Sequence, residues 1–207
     1  MNARANDLRL PRFMKIFTSG LWAMLSLLFL LSGSASAQAK GDEAALWGSL
    51  ASGNHFALLR HAIAPGTGDP ANFTITDCTT QRNLSDRGRR QAVEIGNRFR
   101  TAGITAARVY SSQWCRCLET AELLALGEVH ELPVLNSFFQ RYADQEEQTN
   151  GLRQWLLEQD MTSPLVLVTH QVNITALTGI YPRSGELVLV TREQNGDFSV
   201  AGTIATD

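Results

Sequence analysis

The chain has 207 residues, 44% hydrophobic and 18% charged, with a formal net charge of −2. That composition excludes a disordered polymer and fits a globular protein. Without residues 1–37, which hold four Lys/Arg and one Asp, the remainder carries 14 basic and 19 acidic residues, a net of −5, which argues against a nucleic-acid binder.

The first 37 residues read as a secretory signal peptide. Arg4, Arg9, Arg12 and Lys15 precede the apolar run "LWAMLSLLFLL" (21–31), and small residues around Ala35 and Ala37 offer a cleavage site, with Ala39 as the neighbouring alternative. Met14 offers an alternative start. A run of eleven apolar residues is short for a membrane span, which takes about 20. An uncleaved anchor would be the chain's one link to a membrane. The expected organisation is a signal peptide over 1–37 and one domain over 38–207, exported and periplasmic in a Gram-negative bacterium.

Residues 41–53 read as a short helix capped by Asp42, and "HFALLR" (55–60) as a strand buried on both faces. A long aperiodic loop, rich in turn residues, follows over 62–81. A helix is expected over 84–103, capped by Ser85, burying Ala92, Ile95, Gly96 and Phe99 at i, i+3, i+4, i+7, and stopped by Gly103. Next come a strand (107–112), a helix (113–127) and a strand over 129–135 that Pro133 marks as an edge. The acidic run "ADQEEQ" (143–148) reads as a solvated loop, with a helix over 150–160 after it. The most apolar strand, 164–170, precedes a short helix (173–180), and 185–193 with 198–205 form a hairpin turning at "QNGD". Trp47, Trp114 and Trp155 sit at helical positions suited to core.

This order predicts an α/β three-layer sandwich: a mostly parallel central sheet flanked by helices, with an antiparallel hairpin near the C-terminus. Ligands of such sheets bind beyond the carboxyl ends of the strands. Arg60-His61 leaves one strand there, Thr169-His170 another, and Arg116 lies on the first turn of the helix after a third. Two arginines and two histidines converging on one crevice suit a phosphate monoester. The arginines neutralise a dianion through paired donors, one imidazole attacks phosphorus, and the other holds the transferring oxygens. No metal or cofactor is called for. Cys-x5-Arg, Asp-x-Asp and Walker sequences do not occur, nor does a Gly-x-Ser-x-Gly elbow after residue 37.

The three cysteines, Cys78, Cys115 and Cys117, lack zinc-ligand spacing and follow the signal peptide, so one disulfide is expected, joining Cys78 to Cys115 or to Cys117.

Four stretches in order, "LLRHA" (58–62), "LSDRGRRQA" (84–92), "SSQWCRCLETA" (111–121) and "LVTHQ" (167–171), resemble the histidine phosphatase superfamily, the phosphoglycerate-mutase-like fold. The resemblance implies His61 as the phosphorylated nucleophile, with Arg60, Arg116 and His170 completing the phosphate pocket. The mutases carry Leu-Asn-Glu-Arg with the glutamate as proton donor; here "LNSF" puts Ser137 at that place, and Thr169-His170-Gln171 replaces Gly-His-Gly. Glu186 is then the candidate donor, followed by Asp77 and Asp69. The implied activity is a metal-independent phosphatase with a small phosphorylated substrate, a cell-envelope sugar phosphate being one option. The alternative is a non-catalytic anion-binding protein of the same fold, against which the retention of both histidines and both arginines speaks.

Overall fold

The computed structural model describes residues 43–206. The expected signal peptide and its cleavage sites lie outside them. Among the described residues, no helix is long and apolar enough to cross a membrane.

Six strands form one sheet in the order β3-β2-β4-β1-β5-β6: β1 (His55–Arg60), β2 (Arg108–Ser111), β3 (Val129–Glu131), β4 (Leu165–Thr169), β5 (Leu187–Arg192) and β6 (Phe198–Ile204). The first four are parallel; β5 runs antiparallel to β1, and β6 to β5, closing the expected C-terminal hairpin. Alternation along the buried strands divides the core. Ala57, Leu59, Val166 and Val168 face a layer formed by α1 (43–52), α2 (Asp86–Thr101) and α3 (Cys115–Leu124), where Leu50, Phe99 and Leu124 are buried. Phe56, Leu58, Leu165 and Leu167 face α4 (Gln145–Leu157) and α5 (Gln171–Thr178). The three-layer sandwich is present.

Helix α2 buries Ala92, Ile95, Gly96 and Phe99, the face that its periodicity predicts, and Ser85 caps it by accepting the Gly88 N–H at 3.1 Å. Its glycines have separate reasons. A Cβ at Gly96 would meet the Leu124 carbonyl oxygen at 2.2 Å, so this glycine lets α2 and α3 approach closely. A Cβ at Gly88 would meet the Ile63 carbonyl oxygen at 2.1 Å.

Three expectations need correction. The strand expected over 129–135 ends at Glu131, and Pro133–Leu135 is a 3-10 turn; proline cannot donate to a ladder but suits the start of such a turn. The strand is an edge, as its proline suggests. The acidic run is not a loop. Tyr142–Asp144 is a 3-10 turn and α4 starts at Gln145, with Glu146 and Glu147 in its first turn, where negative charge meets the positive end of the helix dipole. Helix α5 starts at Gln171, immediately after His170, rather than at 173.

Candidate active site

The register of the sheet brings the candidate residues together. Arg60 pairs with Thr169 across β1 and β4, and Ser111 with Val168 across β2 and β4, so three strands end at one level. The ladder continues one residue further, through His61 N to Thr169 O at 3.0 Å and Ser112 N to Val168 O at 2.9 Å. His61 and His170 therefore emerge side by side, ring centroids 5.5 Å apart. Arg116, in the first turn of α3, joins them, and these three line one cavity of about 140 Å³ with Arg60.

The motif residues hold the segment after β1. Ser85 N donates to Ile63 O at 3.0 Å, Gly88 makes room for that carbonyl, and Gln91 Oε1 accepts the Ile63 N–H at 3.1 Å. Thr120 Oγ1 accepts the Ala62 N–H at 3.0 Å while donating to Arg116 O at 2.6 Å. Four residues well beyond it in sequence, three on the first turns of α2 and its cap and one on α3, thus fix the loop on which His61 stands.

His61 Nδ1 lies 2.8 Å from the Ala62 carbonyl oxygen. A carbonyl only accepts, so Nδ1 carries the proton and Nε2 the lone pair. Burial holds the ring well below the ordinary imidazole value, and the charge of Arg116 pushes the same way; His61 is neutral at pH 7. His170 is lowered for the same two reasons. Its Nε2 stands 2.9 Å from Ser112 Oγ, which Asn136 Oδ1 holds at 3.2 Å, so Nδ1 is the nitrogen available to a ligand.

The cavity also contains Arg82, which the sequence did not single out, and Asp69 and Trp114, which it read in other roles. Arg82 lines it, donating from Nε to Gly68 O at 2.8 Å and from Nη1 to Ala64 O. Burial, and then the charge of Arg116, lower it to about 10, which leaves it cationic at neutral pH. Asp69 pairs with Arg116 at 2.7 Å, both side chains almost fully buried. Burial acts to raise the Asp69 pKa, but the hydrogen bonds and charge of Arg116 outweigh it and the net shift is downward. Trp114, expected in the core, packs against it only in part; it stacks on Phe73 at 5.0 Å, lines the cavity and donates to Asp69. Three guanidinium groups against one carboxylate leave two positive charges. Two buried donors of the cavity, Arg60 Nε and Arg116 Nε, have no partner among the described residues. Such atoms are costly unless a ligand takes them.

Of the candidate proton donors, Asp69 lines the cavity, whereas Glu186 and Asp77 do not; Ser137, at the place of the mutase glutamate, lines it too. The Glu186 carboxylate accepts the Arg183 N–H at 2.7 Å, and Asp77 caps the 3-10 turn Cys78–Thr80 by accepting the Thr79 N–H. Cys78 is bridged to Cys115, with Cα atoms 5.7 Å apart, which ties the long loop to the start of α3 beside Arg116. Cys117 is a free buried thiol that burial pushes up to about 12. The lining also includes the uncharged side chains of Thr67, Ser137, Phe139, Gln140 and Tyr181.

Residues 56–138 match the sequence profile of the histidine phosphatase superfamily (branch 1). No curated protein matches the chain. Among solved structures, YhfR of Bacillus stearothermophilus superposes with a TM-score of 0.54 at 17% identity, over 72% of this chain and 95% of that one. The protein histidine phosphatase SixA complexed with tungstate gives 0.53 at 18%, over 73% and 97%. Phosphoserine phosphatase from Entamoeba histolytica, in complex with 3-phosphoglyceric acid, gives 0.54 at 17%, over 74% and 98%.

Proposed function

We propose that this member of the histidine phosphatase superfamily hydrolyses phosphate monoesters through a phosphohistidine formed on His61. The observation that carries the reading is the convergence, in one cavity, of a neutral imidazole with its lone pair on Nε2 and an excess of two positive charges. That excess matches a phosphate dianion. In the first half-reaction the Nε2 lone pair attacks phosphorus, the N–P bond forms, and the P–O bond to the leaving group breaks with its electron pair passing to that oxygen. Arg60, Arg82 and Arg116 neutralise the equatorial oxygens as charge develops, with the His170 ring beside them in the same cavity. In the second half-reaction a water oxygen bonds to phosphorus, the N–P electron pair returns to Nε2, and inorganic phosphate leaves.

The leaving oxygen takes its proton from solvent in this reading, because Asp69 is engaged by Arg116 and Glu186 stands outside the cavity. The uncharged lining residues suit a neutral leaving group. With export by the expected signal peptide, a sugar phosphate of the cell envelope fits both conditions.

Turnover of p-nitrophenyl phosphate in the presence of EDTA tests the reading. Metal-independent hydrolysis that His61→Ala abolishes, with the fold retained, is expected. Binding of phosphate without turnover by the unaltered protein would favour the anion-binding alternative.

A further inference from the structure

The long loop delivers a single carboxylate to the cavity floor, and its hydrogen bonds can be accounted for completely. A carboxylate offers about four lone-pair sites. Asp69 Oδ1 accepts from Arg116 Nη1 at 2.7 Å and from the Arg82 backbone N–H at 3.1 Å; Oδ2 accepts from Arg116 Nη2 at 3.2 Å and from Trp114 Nε1 at 3.0 Å. All its sites are filled. Such a group has no lone pair left for a transferable proton and is anchored on three sides.

The guanidinium of Arg116 has five N–H donors in a rigid planar fork. The end edge, one hydrogen from each Nη, is taken by Asp69, and the outer hydrogen of Nη1 points to Arg82 O at 3.3 Å. What remains is the side edge, Nε–H with the neighbouring Nη2–H. Arg116 Nε is buried and has no partner among the described residues. A paired donor edge is therefore left vacant on a residue that lines the cavity.

We propose that Asp69 is a positioning residue: it grips Arg116 by the Nη1/Nη2 edge and thereby aims the Nε/Nη2 edge at the phosphoryl group. The inference rests on the phosphatase reading above and adds to it the residue that sets the angle of its central arginine. It also explains why Trp114 and the Arg82 amide converge on a loop carboxylate: they fix the splint, and the splint fixes the arginine. Displacement of the fork by about 1 Å is enough to cost roughly 100-fold in rate.

Asp69→Asn, which keeps the size of the side chain and one carbonyl oxygen, should lower kcat/KM by about 100-fold. The loss should be the same for p-nitrophenyl phosphate and for an alkyl phosphate. In an Arg116→Ala background, where there is no fork left to aim, the same substitution should change kcat/KM by less than about threefold. A loss confined to the alkyl phosphate would make Asp69 a proton donor; a full loss persisting without Arg116, or no loss, would equally overturn the proposal. A crystal of the unaltered protein with vanadate gives a test that depends on no variant. The anion should sit on the Nε/Nη2 edge with the Asp69–Arg116 pair intact. Vanadate on the Nη1/Nη2 edge with Asp69 displaced would overturn this inference alone, whereas vanadate away from His61 and Arg116 would overturn the phosphatase reading itself.

Discussion

Removing the Cys78–Cys115 bridge by the double substitution Cys78→Ser/Cys115→Ser should destabilise the protein without dismantling its site. The bridge spans 37 residues, for which loop-closure entropy gives about 4 kcal/mol at 25 °C. For a domain of this size that is a fall in Tm of roughly 8–16 °C. The native contacts that remain are independent of the bridge. Gln81 Oε1 accepts the Cys115 N–H at 3.0 Å, and the Asp69–Arg116 pair still ties the loop to α3. Turnover at 25 °C should therefore keep its wild-type order of magnitude while the urea midpoint drops. Equilibrium urea unfolding without reductant is the assay, and the unaltered protein in excess dithiothreitol should fall with the double mutant. A difference below about 1 kcal/mol between oxidised protein and mutant would refute the reasoning.

Two further outcomes follow from burial. His61 and His170 are neutral when folded, their pKa values held below 6.5, whereas the unfolded chain protonates them as pH drops through that value. Their contribution to stability is thus complete above pH 6.5 and is lost below it, by up to about 1.4 kcal/mol per pH unit for each histidine until the folded pKa is reached; urea unfolding between pH 7.5 and 5 that shows no decline would contradict this. Gly88→Ala places a Cβ 2.1 Å from the Ile63 carbonyl oxygen, so α2 must shift away from the segment that carries His61; a loss of about 1–3 kcal/mol with a fall in kcat/KM is expected, and wild-type stability in calorimetry would count against that close contact.

Strands β1, β4 and β5 were legible because each holds an unbroken apolar run, and the fold follows from the alternation of strands with helices. The floor of the site was legible for a related reason: Arg60-His61 and Thr169-His170 stand at the tips of such runs, where a parallel sheet collects ligands. Asp69 and Arg82 belong to a segment with no period, so nothing local announces their roles. They acquire them from Arg116, which lies 47 and 34 residues further along. The acidic start of α4 shows the same limit in reverse, since charge that reads as solvation also stabilises a helix N-terminus. The choice of disulfide partner needed the register of α3. Cys115 and Cys117, two residues apart, are about 200° apart around the helix axis, so one meets the loop and the other enters the core beside His170.

The most direct test of the account is to trap the intermediate. Rapid acid-free denaturation during turnover of a phosphorus-labelled substrate, followed by peptide mapping, should place an acid-labile, base-stable phosphate on His61, with attachment through Nε2. Label on a serine, on Cys117 or on His170, or turnover that persists in His61→Ala, would contradict the central claim.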